Sequence, residues 1–296
     1  MIVRRRGVVG RIVLGVVVGA ALVALTLVLV IHFTSPAPDA VSVEVPEKQI
    51  PTGWTAEAKP SEPMAGSAAW SSTGSLSLSA DGRPFGDETY QLDVSPAGVS
   101  LSSTGRFWFK VILTTIHIAF QQRWEGAADL RPTTYSLHLD APLGLGQEIA
   151  GRLDGGQYVV RRNGVEAAVP VDPARTIVLG MFSTYALVPL LFAERETDGV
   201  ASFDALVFGG PPGGGKTDAG SLPGVVVERA GSVNLPVDGL SIPVDRFRIR
   251  SPYGDSTLYA KGMEFLALTA GTADKPLIVY RSDYFHGGFP LVDAGK

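Results

Sequence analysis

The chain has no cysteine. That excludes disulfides, thiolate metal centres, a cysteine nucleophile and a lipid-modified N-terminal cysteine. A domain of this length can bury a core without cross-links, so the absence is compatible with export. Histidine is nearly as scarce, with four in 296 residues. No H-E-x-x-H pair, Cys/His set or EF-hand loop occurs, so neither a metal site nor a cofactor is expected. The G-x-S-x-G nucleophile elbow of serine α/β-hydrolases is also missing. Acidic residues are absent before Asp39, whereas Arg4, Arg5, Arg6 and Arg11 crowd the N-terminus.

Behind those arginines, residues 12–33 form an uncharged and almost wholly apolar run. A helix rising about 1.5 Å per residue needs roughly 20 apolar residues to cross a bilayer core, and this run is long enough. The arginines precede it, so residues 1–11 are expected in the cytoplasm and everything after Phe33 outside. A cleaved signal peptide has the same charge-then-apolar order but a shorter core and a small-x-small cleavage site. Here Thr34-Ser-Pro-Ala-Pro-Asp-Ala40 follows, and its prolines spoil the obvious sites. The sequence therefore predicts a single-pass anchor in a bacterial cytoplasmic membrane.

The net charge of −4 hides an asymmetry. Setting the four N-terminal arginines aside leaves 21 of the 25 basic residues against 29 acidic ones. A surface of that sign disfavours phosphate backbones, so nucleic acid is excluded as a partner. Residues 34–66 are punctuated by prolines from Pro36 to Pro63 and read as an extended stalk.

From residue 67 to 296 the period-2 signal of β-strands dominates. Ser75–Ser79, Tyr90–Val94, Gly98–Ser102 and Thr133–Asp140 all alternate. Further strands are expected at Gln157–Arg162, Phe203–Phe208, Val225–Arg229, Asp245–Arg250, Thr257–Lys261 and Leu277–Ser282. Short strands broken by Gly, Pro, Asn and Asp predict one mainly antiparallel β domain, a sandwich, a barrel or a curved sheet.

Two segments depart from this rhythm. Arg106–Trp124 holds no Gly, Pro, Asn or Asp, and its apolar positions switch from odd to even at Thr114-Thr115. A β-bulge in one long bent strand explains the switch; a hairpin is the alternative, although Thr-Thr is poor turn chemistry. Trp108 and Ile112 make the other face of the first half apolar too. Asp172–Glu196 opens on an N-cap and N1 pair, Asp172-Pro173, and Thr176–Ala193 is uncharged and apolar all round. That predicts a buried helix rather than a second span, because spanning would split one β pattern between two compartments.

Gly210-Pro-Pro-Gly-Gly-Gly-Lys-Thr217 matches the P-loop pattern letter for letter. A working P-loop needs a helix after it, and Gly220, Pro223 and Gly224 forbid one there. The segment reads as a surface loop. His117 and His138 alternate onto polar strand faces, and His286 is the histidine best placed for a site.

Gly105-Arg-Phe-Trp-Phe-Lys-Val111, the run Thr176–Phe192, and Arg246–Arg250 through Tyr280–Phe285 are laid out in a way that resembles the lipoprotein-carrier and LppX-like β-clam proteins. The resemblance covers about residues 70–292. It implies a strongly curved antiparallel sheet, a half-barrel or clam, closed over one buried apolar helix. It also implies non-catalytic binding of acyl chains or other hydrophobic ligands. The chain departs from that family in lacking the lipobox cysteine that some members carry.

The resulting expectation is a membrane-anchored extracytoplasmic domain that binds a lipid or other hydrophobic ligand and has no catalytic residue. The expected apolar groove comprises Trp108, Ile112, Ile116, Ile118 and Phe120 from the sheet with Met181, Phe182, Tyr185 and Leu187 from the helix. A cell-envelope scaffold with other envelope proteins as partners, and no small ligand, is the alternative.

Overall fold

The computed structural model describes residues 69–111, 114–142, 146–207, 224–237, 239–251, 254–272 and 275–290. The apolar run at 12–33, the stalk at 34–66, Ile112 and the glycine-rich segment at 210–217 lie outside the described residues. Among the described residues no helix is long and apolar enough to cross a membrane.

The described chain is mainly β, with one short helix. Strands β1 (Trp70–Ala80), β2 (Arg83–Ser95), β3 (Gly98–Val111), β4 (Thr114–Gly126), β5 (Pro132–Asp140), β6 (Gln147–Asp154), β7 (Gln157–Arg162) and β8 (Val165–Pro170) form a meander. A second run comprises β9 (Thr176–Leu179), β10 (Val200–Val207), β11 (Gly224–Val237), β12 (Leu240–Ser251), β13 (Gly254–Lys261), β14 (Glu264–Thr272) and β15 (Lys275–Arg281). Pairing of β1 with β15, Leu76 opposite Arg281, welds the two runs into one open sheet with β8 and β9 at its edges. All pairings are antiparallel except β9 with β10.

Turn chemistry fixes the register. Asn163-Gly164 joins β7 to β8 with φ of 48° and 84°, the left-handed pair that a type I′ turn demands. The Asn163 Oδ1 also accepts from the Glu148 amide at 2.8 Å, which ties this turn to β6.

The expected bulge at Thr114-Thr115 is corrected: β3 and β4 are a hairpin, with Val111 opposite Thr114 and Phe107 opposite Ile118. In a two-residue hairpin each odd position faces an even one, so the parity of the inward side chains must switch. Thr114-Thr115 thus begins β4 and is not the turn.

The expected continuous helix is also corrected. Thr176–Leu179 is strand β9, wholly buried and parallel to β10. A 3-10 segment follows at Phe182–Leu187, and the α-helix α1 spans only Val188–Arg195. A short apolar run has no periodicity that separates a buried strand from a buried helix, and β-branched Ile177 and Val178 tip the balance to strand. Asp172 caps a turn instead of a helix: its Oδ1 accepts from the Ala174 amide at 3.0 Å. Pro189 lies in the first turn of α1, where its missing N–H costs nothing.

The inner face of the sheet surrounds this insert. The 3-10 segment packs on β2, β9 and β14, and β9 lies against β5, so strands far apart in the sheet meet one short element. One continuous core results, from Leu76, Leu92 and Leu101 through Phe120 and Trp124 to Leu191, Phe203 and Phe247. A smaller cluster covers the outer face of β11–β14, where Leu235, Val244, Tyr259 and Leu266 pack under Phe285 and Phe289. β14 is consequently buried on both faces from Phe265 to Leu268, which explains its lack of alternation.

Candidate functional site

Inward-facing positions of β2–β4 are apolar toward the β3–β4 turn. Phe107, Phe109, Ile116 and Ile118 are half-buried there, and Phe120, further in, is fully buried. Phe107 stacks on Phe120 with centroids 4.9 Å apart and lies 6.2 Å from Phe85. Phe182 closes the group edge-on, 6.4 Å from both Phe85 and Phe107. Phe85, Phe107 and Phe182, with Phe120 beneath them, make a part-exposed apolar rim, the mouth, between the sheet and the start of the insert.

Alternation along β4 puts Ile116 and Ile118 on the face of Phe120, and Phe120 shares one core with half-buried Met181, Phe182 and Tyr185 and fully buried Leu187. Trp108 is not with them. It faces outward, where its indole donates to the Pro84 carbonyl at 3.1 Å and the Arg106 guanidinium lies 5.7 Å from its ring. Alternation puts Trp108 and Phe107 on opposite faces of β3. Phe85 and Phe107 join the mouth although neither belonged to the expected groove, and alternation puts Phe109 on the face of Phe107.

Below the mouth lies a buried polar cluster. Glu88, Ser103, Gln122 and Tyr135 come from β2, β3, β4 and β5, and Ser183 and Thr184 come from the insert; each is at most 5 % exposed. Ser103 Oγ donates to Glu88 Oε1 at 2.7 Å, and Gln122 Nε2 lies 3.2 Å from the same oxygen. The Ser183 amide donates to Glu88 Oε2 at 3.1 Å. Gln122 Nε2 also donates to Ser183 Oγ at 2.6 Å, while its Oε1 accepts from the Met181 amide at 2.9 Å and from the Tyr135 hydroxyl at 3.3 Å. Gly180 is required for this approach, since a Cβ there would stand 2.1 Å from the Tyr135 hydroxyl and 2.7 Å from Gln122 Oε1.

Burial pushes the Glu88 carboxyl up to about 7 against the lowering effect of its hydrogen bonds to Ser103, Ser183 and Gln122. Burial also drives the Tyr135 hydroxyl far above its ordinary range, with the Glu88 charge adding to the rise. Among the described residues no Lys, Arg or His forms an ion pair with Glu88. The cluster can hold the insert and exchange a proton near neutrality.

The sequence signal for this cluster was present. Glu88 sits in phase with Gly86, Tyr90, Leu92 and Val94, Ser103 with Leu101, and Gln122 with Phe120 and Trp124, all core-facing positions. A polar residue on an apolar phase marks a buried hydrogen-bonding role.

His117 and His138 are exposed on the outer face, and His286 is exposed in the C-terminal segment. Among the described residues no group of three His, Cys, Asp or Glu could hold a metal ion. The outer face of β2–β6 carries a shallow polar groove of about 600 Å³, lined by Thr89, Gln91, Ser102, Thr104, Gln121 and His138 among others.

No protein-family model matches the chain, and no curated protein matches it. Among solved structures, the chain is similar to the beta-barrel-like protein of domain of unknown function DUF1849 from Brucella abortus. That match has 12 % identity and a TM-score of 0.48 and covers 71 % of this chain and 94 % of that one. It is also similar to a DUF1089 family protein from Pseudomonas aeruginosa, at 10 % identity and a TM-score of 0.38, covering 68 % of this chain and 88 % of that one.

Proposed function

We propose that this protein is anchored in the cytoplasmic membrane by residues 12–33 and holds outside it a curved, half-barrel or clam-like β domain. The domain binds a lipid or other hydrophobic ligand without catalysis. The observation that carries the reading is the apolar mouth. Phe85, Phe107, Phe109, Ile116, Ile118 and Phe182 are half-buried, whereas Leu92, Leu101, Phe120 and Trp124 further along the same strands are sealed. Apolar side chains left part-open on a concave face are the form that ligand sites take, because covering them is what ligand binding contributes. The cluster at Glu88 fixes one wall of that mouth by holding residues 181–183.

Native mass spectrometry of the full chain extracted in mild detergent tests this reading. A co-purifying apolar molecule, or saturable binding of an apolar fluorescent probe that Ile118→Asn weakens tenfold or more, is the expected result. Absence of both ends the reading and leaves the envelope scaffold.

A further inference from the structure

We infer that Glu88, Ser103, Gln122 and residues 180–184 form a proton-operated latch on the apolar mouth, closed when the Glu88 carboxyl is protonated and released when it is ionised. This rests on the reading of the mouth as a ligand site and adds its regulation.

The geometry links the carboxyl to the mouth through three consecutive residues. Met181 and Ser183 donate their amides to Gln122 and Glu88, and Phe182 between them closes on Phe85 and Phe107. The termini of the 3-10 segment and of α1 have no side-chain cap of their own. Glu88 Oε2 therefore does for the Ser183 amide what an N-cap would do.

The surroundings of Glu88 leave its charge unbalanced. β1 presents Leu76 opposite it and β3 presents Gly105. β3 and β4 add the neutral Ser103 and Gln122, and the insert adds Ser183. The titratable groups on this side are tyrosines: Tyr135 of β5, reached through Gln122, Tyr158 of β7 beside it, Tyr185 of the insert, and Tyr90 of β2. Tyr90 is bonded to Arg281, whose charge is already met by Glu264 and Asp283. Asp87 and Arg106 pair with each other on the exposed outer face.

An ionised Glu88 in this setting gains most by reaching water, and the segment between it and the mouth is 180–184. Lifting that segment moves Phe182 out and opens the mouth. If the opened carboxyl titrates in its ordinary range and the closed one near 7, the open population grows about tenfold per pH unit between them and then levels off. A ligand that must displace Phe182 has an apparent affinity that follows the open fraction.

Amide hydrogen exchange over residues 178–188 of the full chain in detergent, corrected for intrinsic rates, reads the latch directly. Binding of an apolar fluorescent probe across the same pH range reads the mouth. Protection should fall about tenfold per unit from pH 5 to 7 and then level, with probe affinity rising in parallel. Glu88→Gln should keep the segment protected and both readings flat. Ser103→Ala removes a bond that favours the carboxylate and should move the plateau to higher pH. Protection independent of pH in the wild type, an unchanged slope in Glu88→Gln, or an unmoved plateau in Ser103→Ala overturns the latch, even where the probe binds. A pH-dependent exchange slope with no probe binding at any pH instead overturns the ligand site, and with it the gating role.

Discussion

The amide of Ser183 donates to the carboxyl of Glu88 at 3.1 Å, across 95 residues of chain. Through this contact a core-facing position of β2 holds the insert that fills the sheet. Stability, pH response and access to the apolar mouth consequently converge on one cluster.

Stability should rise as the pH falls from about 7 to about 4.5. Burial raises the Glu88 carboxyl from 4.5 to about 7, so in that window the folded state binds a proton that the unfolded chain does not. The contribution is complete below 4.5 and lost as the pH rises through 7. A shift of this size corresponds to about 3 kcal/mol. Asp283 acts in the opposite sense, but lower: against the effect of its burial, Arg281 holds it under 3.8, so its contribution is lost only in stronger acid. Urea midpoints at pH 5 and pH 8 check this, and a Glu88→Gln variant retaining the full difference would refute the assignment.

Gly180→Ala should destabilise the domain by about 1–3 kcal/mol, the usual cost of overpacking. The added methyl meets the Tyr135 hydroxyl at 2.1 Å and Gln122 Oε1 at 2.7 Å. Adding Tyr135→Phe removes the closer obstacle and should recover part of the loss, measured as a coupling in a double-mutant cycle. Strictly additive losses would mean that the crowding lies elsewhere.

Phe182→Ala should cost only about 1–2 kcal/mol, less than a fully buried phenylalanine, because its ring is half-buried. Without the ring, probe entry no longer requires the segment to lift. The pH dependence of probe binding should vanish, while that of hydrogen exchange at 178–188 persists. Loss of both together would place Phe182 in the latch itself and not at the mouth.

A reporter active only outside the cytoplasm, fused after Lys296, should be active. The four N-terminal arginines ahead of the apolar run set that orientation. Activity from a cytoplasmic reporter alone would reverse the topology.

Most of the strands were legible because alternation is a local signal. Gln157–Arg162 is a strand in sequence and structure alike, and Thr133–Asp140 falls within β5. β6, β8, β9 and β14 were not separated from their surroundings. β14 is apolar on both faces, and β9 is a four-residue apolar run continuous with the insert. The inward set Ile116, Ile118 and Phe120 was readable from parity. Trp108 was not, since a half-buried indole over a hairpin edge looks in sequence like a core residue.

Composition and period alone determined the β class, the charged and apolar halves of the N-terminus and the apolar character of the insert. These follow from side-chain chemistry at fixed spacing, which needs no partner. Tertiary structure decided that β1 pairs with β15, that Thr176–Leu179 is strand, and that Glu88 meets Ser183. Each depends on which surface a residue finds to bury against, and burial in a sheet is settled by strands far away in the chain.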